Sequence, residues 1–321
     1  MKEKFKGLWP AMFTPVDDDG EPVYKEIEKL VELFISQQMD GLYILGSTGQ
    51  GILFTEDQRR KVTEAVSKTS VGKIPVIVHV GALTTAESIR LAQHAEKCGV
   101  DGISSVPPIY YSGNADSALE HYKSIAGAVS LPFFPYQLGN NSIPGDLDAF
   151  IQRLLKIPNV GGMKLTTNHL LEISGIHNYA RGQLKLFSGS DELFCHASLC
   201  GTVGAIGTFY NIWGVECKQV LSEFVHGNYK LGKEFMLSFQ KMIQQVLPNA
   251  WPFFRKAMML KYNIDIGKTK APLGNTQKEW ENNKVLEIIE KIESVAGLNP
   301  ISKRNKIKNN SEHGNQESSN R

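Results

Sequence analysis

Short apolar segments alternate along this chain with longer segments in which apolar residues recur every three or four positions. The short segments are apolar throughout, which is typical of parallel strands covered by helices. The predicted strands are Leu8–Thr14, Gly41–Gly46, Pro75–Gly81, Gly102–Val106, Leu131–Tyr136, Gly161–Leu165, Leu184–Ser188 and Gly204–Thr208.

The longer segments have the spacing of amphipathic helices, as in Tyr24–Gln38 and Thr84–Cys98. Thr55 and Thr84 each precede such a segment, which predicts a helix N-cap at both positions. Glu87 follows Thr84 at the spacing of a capping box, in which each side chain bonds to the backbone of the other residue.

Eight β-α units in succession predict an α/β fold, specifically a (β/α)8 TIM barrel. An open, doubly wound sheet is the alternative, but no Gly-x-Gly-x-x-Gly follows the first strand. The strand pattern stops near residue 226. We therefore assign 1–226 to the barrel, 227–298 to a C-terminal helical extension and 299–321 to a disordered polar tail. The predicted helices of the extension are Tyr229–Leu247, Trp251–Tyr262 and Gln277–Val295.

The tail is predicted to be disordered because Ile301–Arg321 is almost free of apolar residues. Such a segment does not bury enough apolar surface to offset the entropy lost on ordering. Its basic charge is compatible with a binding partner, but a solvated tail is the simpler interpretation.

Composition indicates a globular protein, since 41% of its residues are hydrophobic and 21% are charged. The net charge of +2 gives no general reason to expect nucleic acid or an anionic membrane as a partner. No apolar run approaches the roughly 18 residues of a membrane span, and no secretory signal follows the charged N-terminus.

The four cysteines have no Cys-x-x-Cys spacing, so they do not indicate a metal site. Free thiols in a reducing compartment are the expected state, and we therefore expect a cytoplasmic protein.

Lys164 is the residue with the clearest chemical interest, because it ends an otherwise apolar strand. Burial disfavours the charged form of a lysine, and the neutral amine is a nucleophile that can form a Schiff base with a carbonyl compound. The alternative is a side chain that extends from the end of the strand into water.

Further polar groups follow the other predicted strands, at the end of a barrel where active sites lie. The turn Gly46–Gly51 brings backbone N–H groups close to the hydroxyls of Ser47 and Thr48, which suits a carboxylate or phosphate. A tight turn that merely needs glycine is the alternative. Asp191 and Glu192 follow the seventh strand, where they either stabilise a helix start or accept hydrogen bonds from hydroxyls.

Two other strand ends carry tyrosines. Tyr136 ends the fifth strand and would neighbour Lys164, so its phenol is positioned to pass protons to and from a substrate. Pro135 has no N–H for a strand ladder and is expected where this strand frays. Tyr110 and Tyr111 follow the fourth strand, and loop packing or contact with another subunit explains at least one of them.

These motifs, in this order, resemble the dihydrodipicolinate synthase and N-acetylneuraminate lyase superfamily of class I aldolases, over roughly Gly7 to Leu298. The N-acetylneuraminate lyase branch is the more similar. In the synthase branch an arginine shortly after this tyrosine binds the substrate carboxylate, and Gln137–Ser142 contains no arginine. The matching residues are Gly46-Ser47-Thr48-Gly49, His79-Val80-Gly81, Tyr110-Tyr111, Tyr136, Gly162-Met163-Lys164, Gly189-Ser190-Asp191-Glu192 and Gly204–Asn211.

The resemblance implies roles for these residues. Lys164 would form the Schiff base with pyruvate or an open-chain sugar acid, and Tyr136 would relay the proton during C–C cleavage. Ser47 and Thr48 would hold the pyruvate carboxylate. No metal or organic cofactor would be needed, and the protein would be a homotetramer. The residues implied to line the pocket for the polyhydroxy chain are Thr166, Gly189, Asp191, Glu192, Gly207 and Thr208, with Tyr110 and Tyr111 in support.

The sequence departs from the pattern at Gln50, usually glutamate, at Gln137–Gly139, at Ser190, where many lyases have a bulkier residue, and at Thr208, usually serine. These departures leave three hypotheses. The first is cleavage of N-acetylneuraminate to pyruvate and N-acetylmannosamine. The second is a pyruvate-dependent aldolase or dehydratase for another 2-keto-3-deoxy sugar acid. The third is a sugar-acid-binding protein without catalysis.

Overall fold

The computed structural model describes residues 4–111, 113–138, 146–274 and 278–297. The predicted tail lies outside these residues, as does Gly139 of the departure at Gln137–Gly139. The strands are β1 (Gly7–Pro10), β2 (Leu42–Ile44), β3 (Val76–His79), β4 (Gly102–Ser105), β5 (Phe133–Leu138), β6 (Gly162–Thr166), β7 (Lys185–Ser188) and β8 (Gly204–Gly207).

All eight strands pair in parallel, each with its neighbours in the chain, and β1 pairs with β8. A bridge between Ala11 and Tyr43, with a 2.9 Å hydrogen bond from the Met12 N–H to the Tyr43 carbonyl, joins the end of β1 to β2. The predicted (β/α)8 barrel is thereby confirmed, and the strand ends that carry the polar residues meet at one rim.

The helices surround this sheet, and the last three follow the barrel. They are α1 (Tyr24–Ser36), α2 (Glu56–Ser70), α3 (Thr85–Lys97), α4 (Ala115–Ala126), α5 (Leu147–Leu154), α6 (Leu170–Ala180), α7 (Phe194–Leu199), α8 (Tyr210–Val225), α9 (Tyr229–Val246), α10 (Ala250–Tyr262) and α11 (Asn282–Val295). The C-terminal helices are confirmed, whereas the division of the chain at 226/227 stays a prediction. None of the described helices is long and apolar enough to cross a membrane.

Both predicted N-caps are present. Thr84 accepts a 3.2 Å hydrogen bond from the Glu87 N–H, and Thr55 accepts one of the same length from Gln58. The reciprocal contact of a full capping box is formed at Thr55, where the Gln58 side chain accepts from the Thr55 N–H. The sequence had predicted the box at Thr84 instead.

Two apolar layers result from the alternation of side chains along the strands. One lies between the sheet and the helices and includes Met163 and Leu165 of β6. The other fills the interior of the barrel and is rich in aromatic rings. Its members are Trp9, Ala11, Tyr43, Ile77, Phe134, Tyr136, Phe187 and Ile206.

The pairing of β5 with β6 contains one irregularity. Phe133 pairs with Val160, whereas Tyr136 pairs with Lys164, so the chain entering β6 has one residue more than β5 over this interval. Such a bulge changes which residues face the interior beyond it. Lys164 therefore lies opposite Tyr136, which points into the barrel.

Pro135 lies within this interval, in the middle of β5 and opposite Ser105 of β4. The expectation that it would mark the frayed strand end was wrong, because β5 continues to Leu138. The missing N–H is tolerated where the pairing with β6 is already irregular. Glycine is required at position 162, directly after the bulge, because a Cβ there would overlap the Lys185 carbonyl oxygen and the Phe134 ring.

Candidate functional site

Lys164 and Tyr136 lie opposite each other on adjacent strands. The expectation that each ends its strand was wrong, because β5 and β6 both continue for two more residues. The lysine is 4% exposed, which contradicts the alternative of a side chain extended into water. Its Nζ lies 4.1 Å from the centre of the Tyr136 ring and 4.3 Å from the centre of the Tyr43 ring. A buried amine beside the Tyr136 phenol is placed to act as a nucleophile.

The side chains of β2, β3 and β4 beside this amine are polar and uncharged. The Tyr43 hydroxyl donates to Ser104 Oγ at 3.0 Å. His79 Nε2 accepts the Val106 N–H at 3.3 Å. Burial, reinforced by the positive charges of Arg59 and Lys164, lowers the His79 pKa to about 3, so this imidazole is neutral at physiological pH.

The turn after β2 is tightly constrained. Leu45 and Gln50 adopt left-handed backbone conformations, with φ of 58° and 55°. Gly51 cannot be replaced without strain, because a Cβ there would overlap the Leu45 carbonyl. The turn exposes the Ser47 side chain and buries that of Thr48.

Thr48 faces the end of β8, where its Oγ1 lies 2.6 Å from Thr208 Oγ1. Two hydroxyls and the backbone amides of the turn are therefore grouped at one side of the rim. Such a group can donate several hydrogen bonds to one carboxylate.

Gln50 is buried on the other side of this turn, and its Oε1 accepts the Lys270 N–H at 2.7 Å. The departure from glutamate therefore occurs where the side chain meets the segment after α10. A neutral amide makes this contact without placing a charge at a buried position.

Close backbone approaches shape the rim after β6, β7 and β8. A Cβ on Gly189 would overlap Thr166 Oγ1, and a Cβ on Gly207 would overlap the Asp191 carboxylate. Thr166 Oγ1 in turn donates to the Tyr136 hydroxyl at 3.4 Å. The two glycines thus allow polar side chains of neighbouring strands to approach the site.

Asp191 and Glu192 differ in environment. Asp191 is buried, and its Oδ2 accepts the Phe209 N–H at 2.7 Å. Burial raises the pKa of Asp191 to about 7, although this hydrogen bond favours the carboxylate. Glu192 is partly exposed, and its carbonyl accepts a 2.9 Å hydrogen bond from Gln240 of α9.

Tyr110 and Tyr111 lie apart from this arrangement. They are 78% and 83% exposed, and among the described residues the ring contact of each is with the other, at 5.0 Å between centroids. Within one chain, the structure therefore does not bring them to Lys164.

Two residues of the site, Tyr43 and Asn211, had been assigned no role from the sequence. Tyr43 forms one wall around Lys164, although it reads as an ordinary apolar strand residue. Asn211 is fully buried, and its Nδ2 donates to the carbonyls of Ala11 and Thr208, both at 2.7 Å. It therefore joins the ends of β1 and β8, a contact between distant segments for which the sequence carries no local signal.

The structure also bears on metal chemistry. In the described ranges, no group of three or more His, Cys, Asp or Glu side chains is arranged to hold a metal ion. Among the described residues, the polar groups at this end of the barrel include hydroxyls, backbone amides, the carboxyls of Asp191 and Glu192 and the amine of Lys164, which suit an oxygen-rich organic substrate.

Comparison with known proteins gives relatives along nearly the whole chain. N-acetylneuraminate lyase of Citrobacter koseri is 32% identical over 268 residues, which cover 83% of this chain and 89% of that protein. The Escherichia coli enzyme of the same name is 32% identical over 285 residues, covering 87% and 95%.

Solved structures agree in fold. Proteus mirabilis N-acetylneuraminate lyase superposes with a TM-score of 0.79 at 26% identity, over 90% of this chain and 98% of that one. Ruminococcus gnavus sialic acid aldolase gives a TM-score of 0.83 at 24% identity, over 92% and 97%. Residues 4–292 match the Dihydrodipicolinate synthetase family. The chain therefore belongs to this family.

Proposed function

We propose that the protein is a class I aldolase that cleaves N-acetylneuraminate to pyruvate and N-acetylmannosamine through a Schiff base on Lys164. The observation that carries this proposal is the buried amine opposite the Tyr136 phenol at the rim of the barrel. The similarity to proteins named N-acetylneuraminate lyase supports the choice of substrate.

The reaction begins when the neutral amine of Lys164 attacks the C2 ketone of the open-chain sugar acid. Loss of water takes up the phenol proton of Tyr136 and leaves an iminium and a phenolate. The phenolate then takes the proton of the C4 hydroxyl while the C3–C4 bond breaks, and the electron pair of that bond moves into the iminium to give an enamine and free N-acetylmannosamine. Tyr136 gives this proton to C3, and hydrolysis of the resulting iminium releases pyruvate and returns a proton to the phenolate. The iminium is the electron sink, so this route uses no metal or organic cofactor.

The remaining residues bind the two ends of the substrate. Ser47 and Thr48, with the backbone amides of their turn, hold the carboxylate, and Thr208 supports Thr48 through their short contact. The sugar chain lies along the opposite part of the rim, with hydroxyls bonded to Thr166, Glu192 and Asp191. Gly189 and Gly207 leave the space that the Thr166 and Asp191 side chains occupy beside this chain.

A second candidate keeps the chemistry and changes the substrate to another 2-keto-3-deoxy sugar acid. The observation in its favour is Ser190, a small buried residue whose hydroxyl donates to the Thr167 carbonyl. A small residue in this position alters the space available to the sugar chain.

We also propose that the protein is a cytoplasmic homotetramer. The four cysteines are free, which suits a reducing compartment. A tetramer of the common dihedral kind needs two separate contact surfaces. Large exposed apolar side chains occur both after β4, at Tyr110 and Tyr111, and on α6 and α7, at Leu171 and Leu199.

The first experiment is borohydride reduction in the presence of pyruvate, followed by digestion and mass spectrometry. We expect the adduct on Lys164 of the wild type, its loss in Lys164→Ala and its retention in Lys185→Ala, a matched change of another strand lysine. Absence of the adduct from Lys164 would contradict both enzymatic candidates. Binding of N-acetylneuraminate without release of pyruvate would instead support a non-catalytic protein.

The second experiment distinguishes the substrates. Release of pyruvate is measured from N-acetylneuraminate and from a 2-keto-3-deoxy-gluconate at equal concentrations. A higher kcat/KM for N-acetylneuraminate supports the first candidate, and an equal or lower value supports the second.

A further inference from the structure

The amine of Lys164 lies between the faces of two tyrosine rings. Its Nζ is 4.1 Å from the ring centre of Tyr136 and 4.3 Å from that of Tyr43, and the two centres are 6.1 Å apart. In the described part of the chain, no carboxylate forms an ion pair with this amine, in contrast to the buried Lys261. The two ring faces are therefore regions of negative potential in direct contact with the amine, whereas Asp191 acts on it from beyond ion-pair distance.

A positive charge on Nζ is a feature of the proposed reaction, because the iminium carries its charge there. The charge appears when water leaves the tetrahedral adduct, and it disappears when the electron pair of the C3–C4 bond moves into the imine. A ring face that attracts a cation stabilises the iminium relative to the neutral species on either side.

The role of Tyr43 differs from that of Tyr136. Burial raises the pKa of the Tyr43 phenol well above its usual value, and the hydroxyl is engaged with Ser104. Tyr43 is therefore unsuited to carrying protons, and the part of it that meets the amine is the ring face. We propose that Tyr43 is a catalytic residue whose ring face stabilises the iminium on Lys164. This inference rests on the proposed function.

Two variants separate the ring face from the hydroxyl. Tyr43→Phe keeps the face, whereas Tyr43→Leu removes it. We measure the rate of borohydride trapping on Lys164 at limiting pyruvate, together with kcat for release of pyruvate. We expect Tyr43→Phe to lie within a fewfold of the wild type and Tyr43→Leu to be lower than Tyr43→Phe by about three- to thirty-fold, the range expected for a cation–π contact.

Because leucine also changes packing, a second series keeps the shape. Phenylalanines with one, two and three ring fluorines are introduced at Tyr43, since each fluorine weakens the negative potential of the face. We expect the logarithm of the trapping rate to fall steadily with fluorination. The same series at Phe134, an interior ring without a contact to the amine, is the control and is expected to give no such trend.

The outcomes separate the inference from the proposed function. No adduct in the wild type would overturn the Schiff-base reaction itself. A wild-type adduct with a flat fluorine series at Tyr43, or equal rates for the phenylalanine and leucine variants, would overturn the role of Tyr43 and leave the reaction intact.

Discussion

The side-chain oxygens of Thr48 and Thr208 lie 2.6 Å apart, although 160 positions separate the two residues in the chain. Their contact links the turn after β2 to the end of β8 and passes over the end of β1, which lies between those strands in the barrel. The hydroxyl array proposed to bind a carboxylate therefore depends on closure of the barrel.

Thr208→Val is expected to weaken binding of pyruvate. The change keeps the shape and removes the oxygen that orients Thr48, and a hydrogen bond between neutral groups contributes roughly 0.5–1.5 kcal/mol. We expect the pyruvate concentration for half-maximal borohydride trapping to rise about two- to tenfold. Thr208→Ser, which keeps the hydroxyl, is the control, and equal values for both variants would contradict the proposed contact.

Tyr136→Phe separates imine formation from bond cleavage. Because Lys164 remains, the borohydride adduct with pyruvate should still form. Release of pyruvate from the sugar acid should slow on the order of 10²–10⁴-fold, as is typical when an acid–base group is lost. A rate close to that of the wild type would show that another group carries the proton.

Gly162→Ala is expected to destabilise the barrel, since its Cβ would meet a backbone carbonyl that cannot move without distorting β7. Overpacking of this kind costs about 1–3 kcal/mol in the free energy of unfolding. Gly161→Ala is the matched control, because its nearest neighbour would be at 3.4 Å, an ordinary contact. Urea denaturation measures both, and equal stabilities would contradict the strain assigned to Gly162.

Asp191 is expected to make stability depend on pH. Its pKa is about 7 in the folded protein, against an ordinary value of 3.8 for an aspartate side chain, mainly because of burial. The folded state therefore keeps a proton that the unfolded state loses, and this stabilisation disappears as pH rises from about 4 to about 7.

The comparison is with Asp191→Asn, which keeps an oxygen acceptor for the Phe209 N–H but does not titrate. Relative to this variant, the wild type should lose up to about 1.4 kcal/mol per pH unit over that interval. Urea denaturation at several pH values gives the difference. A difference that stays constant with pH would show that the carboxyl does not titrate as described.

The fold could be predicted because its main determinants are local. Buried parallel strands are apolar throughout, and helices between them repeat at short intervals, so the order of elements follows from the chain. Strand ends could not be predicted as well. The apolar run at the start continues to Thr14, but β1 ends at Pro10, and Thr14 donates its hydroxyl to the Gly49 carbonyl at 2.8 Å.

The candidate site was predictable at Lys164 and Tyr136, because each is a polar residue that follows a run of apolar residues, although each strand continues for two residues beyond it. Contacts between distant segments were not. Nothing near Tyr43 indicates that its ring faces an amine on the sixth strand. Similarly, the environment that separates Asp191 from Glu192 depends on how β8 closes over the first of them.

The bulge before β6 has a further consequence for how the amine is encoded. If the residues after Val160 instead paired one for one with those after Phe133, Met163 would lie opposite Tyr136 inside the barrel, and Lys164 would turn toward the surrounding helices. No side chain would have been altered, yet the nucleophile would be lost from the interior. The chemistry of this chain is thus specified by a count of residues as well as by their identities.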